Sequence, residues 1–270
     1  MTPRSSLQKR IDPIGSDQAE DARTRILEAA LREFSANGLA GARTERIAEG
    51  AGVNKALLYY YFRSKDALYA AALEVVSSRL VEIGMSVLSR ECSAGERLLR
   101  SVLNHFDRIY SQPVFQNLMQ QEMIRLREGK MNAENPLVEK LFKPMGEKML
   151  AVVKEGIREG ELIEVESTQV TYAALGANVF YFLSAPLMQL IGGADPLAAN
   201  SLAFRRVAAI EFLGQAIFTD RKHGKRVAAR VLAETPMPEA AAIGAYGGPE
   251  KAVAGSKATI LKRRDRLNWE

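Results

Sequence analysis

The chain has 270 residues, 47% hydrophobic and 26% charged, so it is long enough for one or two domains with a sizeable core and has the composition of an ordinary soluble protein. Its net charge of +5 suits a polyanionic partner without requiring one. Cys92 is the only cysteine, which excludes an intrachain disulfide and a thiolate cluster, and the two histidines, His105 and His223, lie too far apart in sequence to suggest a transition-metal site, so no metal or cofactor is expected.

Residues 1–20 mix Arg4, Lys9 and Arg10 with Asp12, Asp17 and Glu20, lack apolar periodicity and read as a flexible arm. They also lack the basic start, apolar run and cleavage site of a secretory signal, which predicts a cytoplasmic protein. From Asp21 to Asn37 the spacing of Ile26, Leu27, Ala30, Leu31 and Phe34 predicts an amphipathic helix, with Asn37-Gly38 as its left-handed stop.

The stretch from Thr44 to Leu68, TERIAEGAGVNKALLYYYFRSKDAL, holds two short helical patterns around a glycine turn. In the first, Ile47, Ala48 and Ala51 share a face and Thr44 is placed as a cap. In the second, opened by Asn54, Leu58 points inward between Val53 and Phe62, leaving Lys55, Ala56, Leu57, Tyr59 and Tyr61 available outside. Two short helices joined this way form a helix-turn-helix, whose second helix is shaped to enter a DNA major groove. The pattern T-x-x-I-A-x-x-A-G-V followed by L-Y-x-Y-F-x-S-K-x-x-L, within about Arg23 to Leu73, resembles the amino-terminal domain of the TetR family of bacterial transcriptional regulators.

Each outward residue has an expected role and a structural alternative. Thr44 offers a hydroxyl or amide to a phosphate, or merely caps; Lys65, at the next helix start, is a second phosphate anchor. Lys55 is the candidate for a guanine edge, and Ala56 and Leu57 for thymine methyls, although Leu57 also suits a core position. The resemblance implies phosphate or base contacts for Tyr59 and Tyr61. Tyr59 or Tyr60 can instead pack on the first helix, but three consecutive tyrosines point about 100° apart and cannot all be buried. Glu45 stands where relatives carry a basic residue, which leaves Arg43 and Arg46 as substitutes.

Ser64 predicts a fourth helix towards Leu88, and Ser93 with Glu96 a capping box opening a fifth through Ile109. Gln112-Pro113 starts another ending near Gly129, and Asn135-Pro136 one that runs to Glu159-Gly160. Two long helices follow, from about Ser167 to Ile191 and from Asp195-Pro196 to Phe218. The chain is therefore read as all-α, with about nine helices: a DNA-binding domain over 21–68 and a helical bundle over 69–218. From Thr219 to residue 270 the composition turns to Gly, Ala and Pro with a basic end, which reads as a flexible tail with at most one short helix over Gly224–Ala233.

The stretch Val170–Ile191 is long and apolar enough to raise the question of a membrane span, but Thr171, Asn178, Ser184, Pro186 and Gln189 interrupt it and basic flanks are missing, so it is expected to be buried in protein. Its small residues Ala173, Ala174, Gly176 and Ala177, with Ala203, Ala208, Ala209 and Gly214 of the last helix, allow close helix approach; resemblance to TetR regulators implies that this pair forms a four-helix bundle in a homodimer. The resemblance also implies an inducer pocket among the middle helices, with Phe106, Tyr110, Phe115, Met119, Met123, Met149, Tyr172 and Phe180 as candidate apolar lining and His105, Gln116, Glu122 or Asn178 as candidate polar groups. The function expected is a repressor released from a palindromic operator by a small, largely apolar molecule. A DNA-coating architectural protein is the alternative, and a helical enzyme is disfavoured because no nucleophile, paired-carboxylate or phosphate-loop motif is present.

Overall fold

The computed structural model describes residues 16–129, 137–193 and 195–239. Ten α-helices follow one another: α1 (Ser16–Gly41), α2 (Thr44–Gly50), α3 (Lys55–Tyr61), α4 (Lys65–Leu88), α5 (Ala94–Ser111), α6 (Pro113–Arg127), α7 (Lys143–Arg158), α8 (Ser167–Gly192), α9 (Ala199–Ala216) and α10 (Arg221–Glu234). The all-α reading is borne out, with one helix more than expected among the described residues and a single isolated bridge, Leu162 to Phe218, as their only extended pairing.

α1 begins at Ser16, five residues before the expected start, and its ladder is interrupted where Gly38 takes φ 67°, the left-handed stop expected from Asn37-Gly38. The apolar stripe of α1 packs Ile26, Ala30 and Phe34 against Ile47, Ala48, Leu58 and Phe62, all buried. Phe34 meets Tyr69 of α4 edge-on at 4.8 Å, so α1 is the prop on which α2, α3 and the start of α4 rest. The same cluster continues into α6 through Leu118 and Met119.

α5 is the axis of the second half, packing on α4, α7, α8, α9 and α10. The capping box at its start is only half formed. Ser93 Oγ accepts from the Glu96 amide at 3.3 Å, but the Glu96 carboxylate turns to Arg100 and Arg230. Glu161 takes its place, accepting from Ser93 Oγ at 2.6 Å and from the Gly95 amide at 2.7 Å.

The Asn135-Pro136 start lies outside the described residues; the helix expected from it enters the described chain with a π-helical turn, Val138–Phe142. Pro144 follows directly and has no N–H for the Lys140 carbonyl, which favours the wider turn in which the Lys143 amide donates to Val138 O.

Within the stretch read as a flexible tail, the one short helix allowed over Gly224–Ala233 is present and runs over residues 221–234. Those residues form α10, with Val227, Ala228 and Val231 fully buried against α5 and α9. A short but regular apolar stripe won over the Gly- and Ala-rich composition that follows it. Gly214 of α9 and Gly224 of α10 touch backbone to backbone, and a Cβ on either would overlap the other chain segment. Arg206 of α9 clamps the same region, forking onto Asp107 of α5 at 2.6 and 2.8 Å and donating to Thr235 O. Residues 240–270, including the basic end, lie outside the described residues.

Candidate nucleic-acid interface

α2 ends at Ala51, Gly52 takes φ 66° to reverse the chain, and the Asn54 side chain accepts from the Leu57 amide at 2.8 Å to open α3. Leu58 anchors α3 in the core with no exposed surface, which leaves Lys55, Ala56, Tyr59 and Tyr60 on the open side. Leu57 is half-buried.

Thr44 is buried and is the first residue of α2 rather than its cap; Arg43 holds the cap position and no side chain caps the helix. The Thr44 hydroxyl instead lies 3.4 Å from Tyr59 Oη and ties α2 to α3. Lys55 is ion-paired with Glu45 across the two helices and lies 5.9 Å from the centre of the Tyr59 ring. The pairing lowers the Glu45 pKa and raises that of Lys55, chiefly through their shared hydrogen bond. Glu45 therefore has a role as the counter-ion of Lys55, which spacing alone does not reveal.

The tyrosines divide differently from the expectation. Tyr60 is 76% exposed and Tyr59 39%, while Tyr61 is half-buried, packed on the α1–α4 core with its ring edge-on to Tyr60 at 5.4 Å. Helical rotation explains this: Leu58 and Tyr61 are three residues apart and share the inward side. Lys65 donates to the Ala40 and Ala42 carbonyls, both at 3.2 Å, and so closes the frayed end of α1. Arg43, Arg46 and Arg63 are exposed cations near α2 and α3 without an ion-pair partner among the described residues.

A family profile described as "Bacterial regulatory proteins, tetR family" matches residues 26–72, the segment from the core face of α1 into α4. Residues 26–72 thus form a domain of the TetR type. The same segment is similar to the HTH-type transcriptional repressor SCO4008 of Streptomyces coelicolor, 43% identical over 68 residues, covering 25% of this chain and 34% of that protein. It is 57% identical over 51 residues to the HTH-type transcriptional regulator RutR of Escherichia coli K12, covering 19% of this chain and 24% of RutR. The chain thus aligns with about a third or less of these relatives. A gamma-butyrolactone receptor (ArpA-like protein) shares the fold with a TM-score of 0.57 at 23% identity, over 80% of this chain and all of that one.

Outside its TetR-type domain, the residues expected to line one pocket are dispersed. His105, Phe106, Tyr110 and Asn178 do gather where α5 meets α8; Asn178 Nδ2 donates to Val102 O at 3.0 Å and lies 3.5 Å from His105 Nδ1. Phe115 and Met119 belong to the α1–α4 core, and Met149 to the α5–α7–α10 core. Met123, Tyr172 and Phe180 are exposed.

α8 is the one helix among the described residues long and apolar enough to cross a membrane, and only 28% of its most apolar window is buried. The expectation of burial therefore holds for one face only. Its inward face packs Val170, Ala174, Asn178 and Phe182, and its outer face displays Tyr172, Phe180, Leu183, Leu187, Leu190 and Ile191. Phe204 and Phe212 of α9 are likewise exposed, at 76% and 69%. Among the small residues, Ala173, Gly176, Ala177 and Ala203 face outward, whereas Ala174 and Ala209 are core and Gly214 serves α10.

Proposed function

We propose that this protein is a sequence-specific DNA-binding transcriptional regulator, a homodimer released from a palindromic operator by a small-molecule ligand. The observation that carries the reading is α3: a capped, well-anchored helix within the TetR-type domain that presents Lys55, Ala56, Tyr59 and Tyr60 on one open side. Lys55 reads a base edge once Glu45 yields it, Ala56 and the exposed edge of Leu57 meet thymine methyls, and Tyr59, Tyr60 and Arg43, Arg46 and Arg63 contact the backbone. Thr44, Tyr61 and Lys65 act by holding α2, α3 and the α1 end in place, with Lys65 keeping one N–H for a phosphate.

The outer face of α8 with α9 supports dimerisation. Large contiguous apolar surfaces on soluble proteins mark interaction sites, and outward Ala173, Gly176 and Ala177 let a second helix approach closely. Besides the shared apolar core, two hydrogen bonds join α6 to α1 and α4: Gln121 donates to Ser35 O of α1 at 2.9 Å, and Tyr69 of α4 donates to buried Glu122 at 2.5 Å. A ligand that moves α6 or α4 thereby changes the spacing of the two heads, provided it binds one arrangement more tightly than the other.

Sequencing of the host DNA that copurifies with the protein tests the reading. The expected result is a short inverted repeat with half-sites about one helical turn apart. Uniform recovery of all sequences would identify a DNA-coating protein instead.

A further inference from the structure

A second site lies away from the apolar residues considered above. Between the end of α4, the middle of α5 and the end of α10 is a cleft of about 410 Å³, lined by Ser86, Val87, Arg90, Arg100, Asn104 and Thr235. That volume falls within the range of small-molecule sites. Two arginines, an asparagine, a serine and a threonine supply polar groups beside Val87 and the aliphatic side-chain stems.

The charges around the cleft are unbalanced. Arg100 is buried and held by Glu96 and Glu234, while Arg90 stands 4.0 Å from the same Glu234 carboxylate. Glu96 is shared with Arg230. About two turns further along α5 from Arg100, Arg108 is half-buried and donates to Asn104 Oδ1, and it meets no carboxylate among the described residues. With its carbonyl engaged by Arg108, Asn104 keeps its amide N–H groups for another acceptor. Two guanidinium groups thus line the cleft, with Arg108 behind Asn104, and Glu234, 46% exposed at the last residue of α10, is the carboxylate that reaches both Arg90 and Arg100.

We propose that this cleft binds a small hydrophilic anion bearing two or more carboxylate or phosphate groups, which displaces Glu234 from Arg90 and Arg100 and engages the Asn104 amide. Guanidinium forks bind carboxylate and phosphate alike. Glu234 holds the place of the ligand's acid group in the empty protein, so binding loosens the end of α10 from α5. That the anion also governs DNA release rests on the regulatory reading above; the site itself does not.

Isothermal titration of the full chain with citrate and, separately, with inorganic pyrophosphate tests the site without DNA. Saturable binding by either is expected. Arg90→Ala, an exposed substitution that leaves the buried pairs intact, should weaken it about tenfold, in line with the loss of one charge-assisted contact. Glu234→Gln should tighten it several-fold, whereas Glu159→Gln, which changes net charge equally at a distant surface, should not. Lack of saturation by both anions up to about 10 mM, where affinity is weaker than about 3 kcal/mol, would overturn the proposal. So would equal tightening by Glu159→Gln and Glu234→Gln, the mark of general charge attraction. Saturable, Glu234-sensitive binding that leaves operator affinity unchanged would uphold the site and contradict its use in DNA release.

Discussion

In the proposed function DNA recognition turns on Lys55 and Tyr60, and the ion pair between Lys55 and Glu45 sets how Lys55 would be used. Glu45 partly neutralises the charge that faces DNA. Glu45→Gln should therefore strengthen binding to any sequence and steepen its dependence on salt by about one counterion, read from affinities at several salt concentrations. Lys55→Ala should relax preference at one base pair, on the order of 1–3 kcal/mol of discrimination, measured by competition between operator variants. Equal weakening on every sequence would instead make Lys55 a phosphate contact. Tyr60→Ala should weaken binding without lowering thermal stability, because its ring is mostly in solvent. A further residue-level expectation concerns pH. Burial, and then the nearby charge of Arg108, depress the pKa of His105 to about 4, below its usual 6.5. The unfolded chain then binds the proton more readily between those values, so stability should fall as pH drops from about 6.5 to about 4. The denaturant midpoints of the protein and of His105→Gln at about pH 7 and about pH 5 read this effect; the variant should lose less on acidification.

Among the elements, helix starts and stops were legible where one local signal sufficed. Asn54, Ser64 and Ser93 each accept a hydrogen bond from the amide three residues on, and Gly38, Gly52 and Gly129 each take the left-handed conformation that ends a helix or turns the chain. What stayed hidden depends on partners distant in sequence: Glu161 replacing Glu96 in the α5 cap, Lys65 returning to the end of α1, and Thr44 meeting Tyr59. The docking of α10 is the largest such case, although a short helix over Gly224–Ala233 was legible. Its apolar residues gain a reason to be helical only when α5 and α9 lie beneath them, and its glycine is the price of a backbone contact no local pattern announces. Gly224→Ala should undock α10 and lower stability by about 3 kcal/mol, visible as a fall in the denaturant midpoint. An unchanged midpoint would mean that α9 and α10 separate at little cost.

At the scale of the whole molecule, the motif on α2 and α3 was readable in outline because it is compact, whereas the cleft was not, because it depends on how α4, α5 and α10 meet. The apolar residues named from sequence went to three separate cores and to an open face, and the cleft between α4, α5 and α10 is lined by two arginines instead. In the proposed function the open face of α8 and α9 would tie recognition to assembly, since a single helix-turn-helix head reads too few base pairs to be selective. Phe204→Glu, at a solvent-facing position of α9, should leave the fold intact and shift the protein from dimer to monomer in sedimentation. The most direct test is therefore nuclease protection of the recovered inverted repeat by the protein and by Phe204→Glu. The unaltered protein should cover both half-sites over one concentration range, while the variant should need at least about tenfold more and fill them independently. Identical protection by the two, with the variant shown to be monomeric, would contradict a dimeric reader.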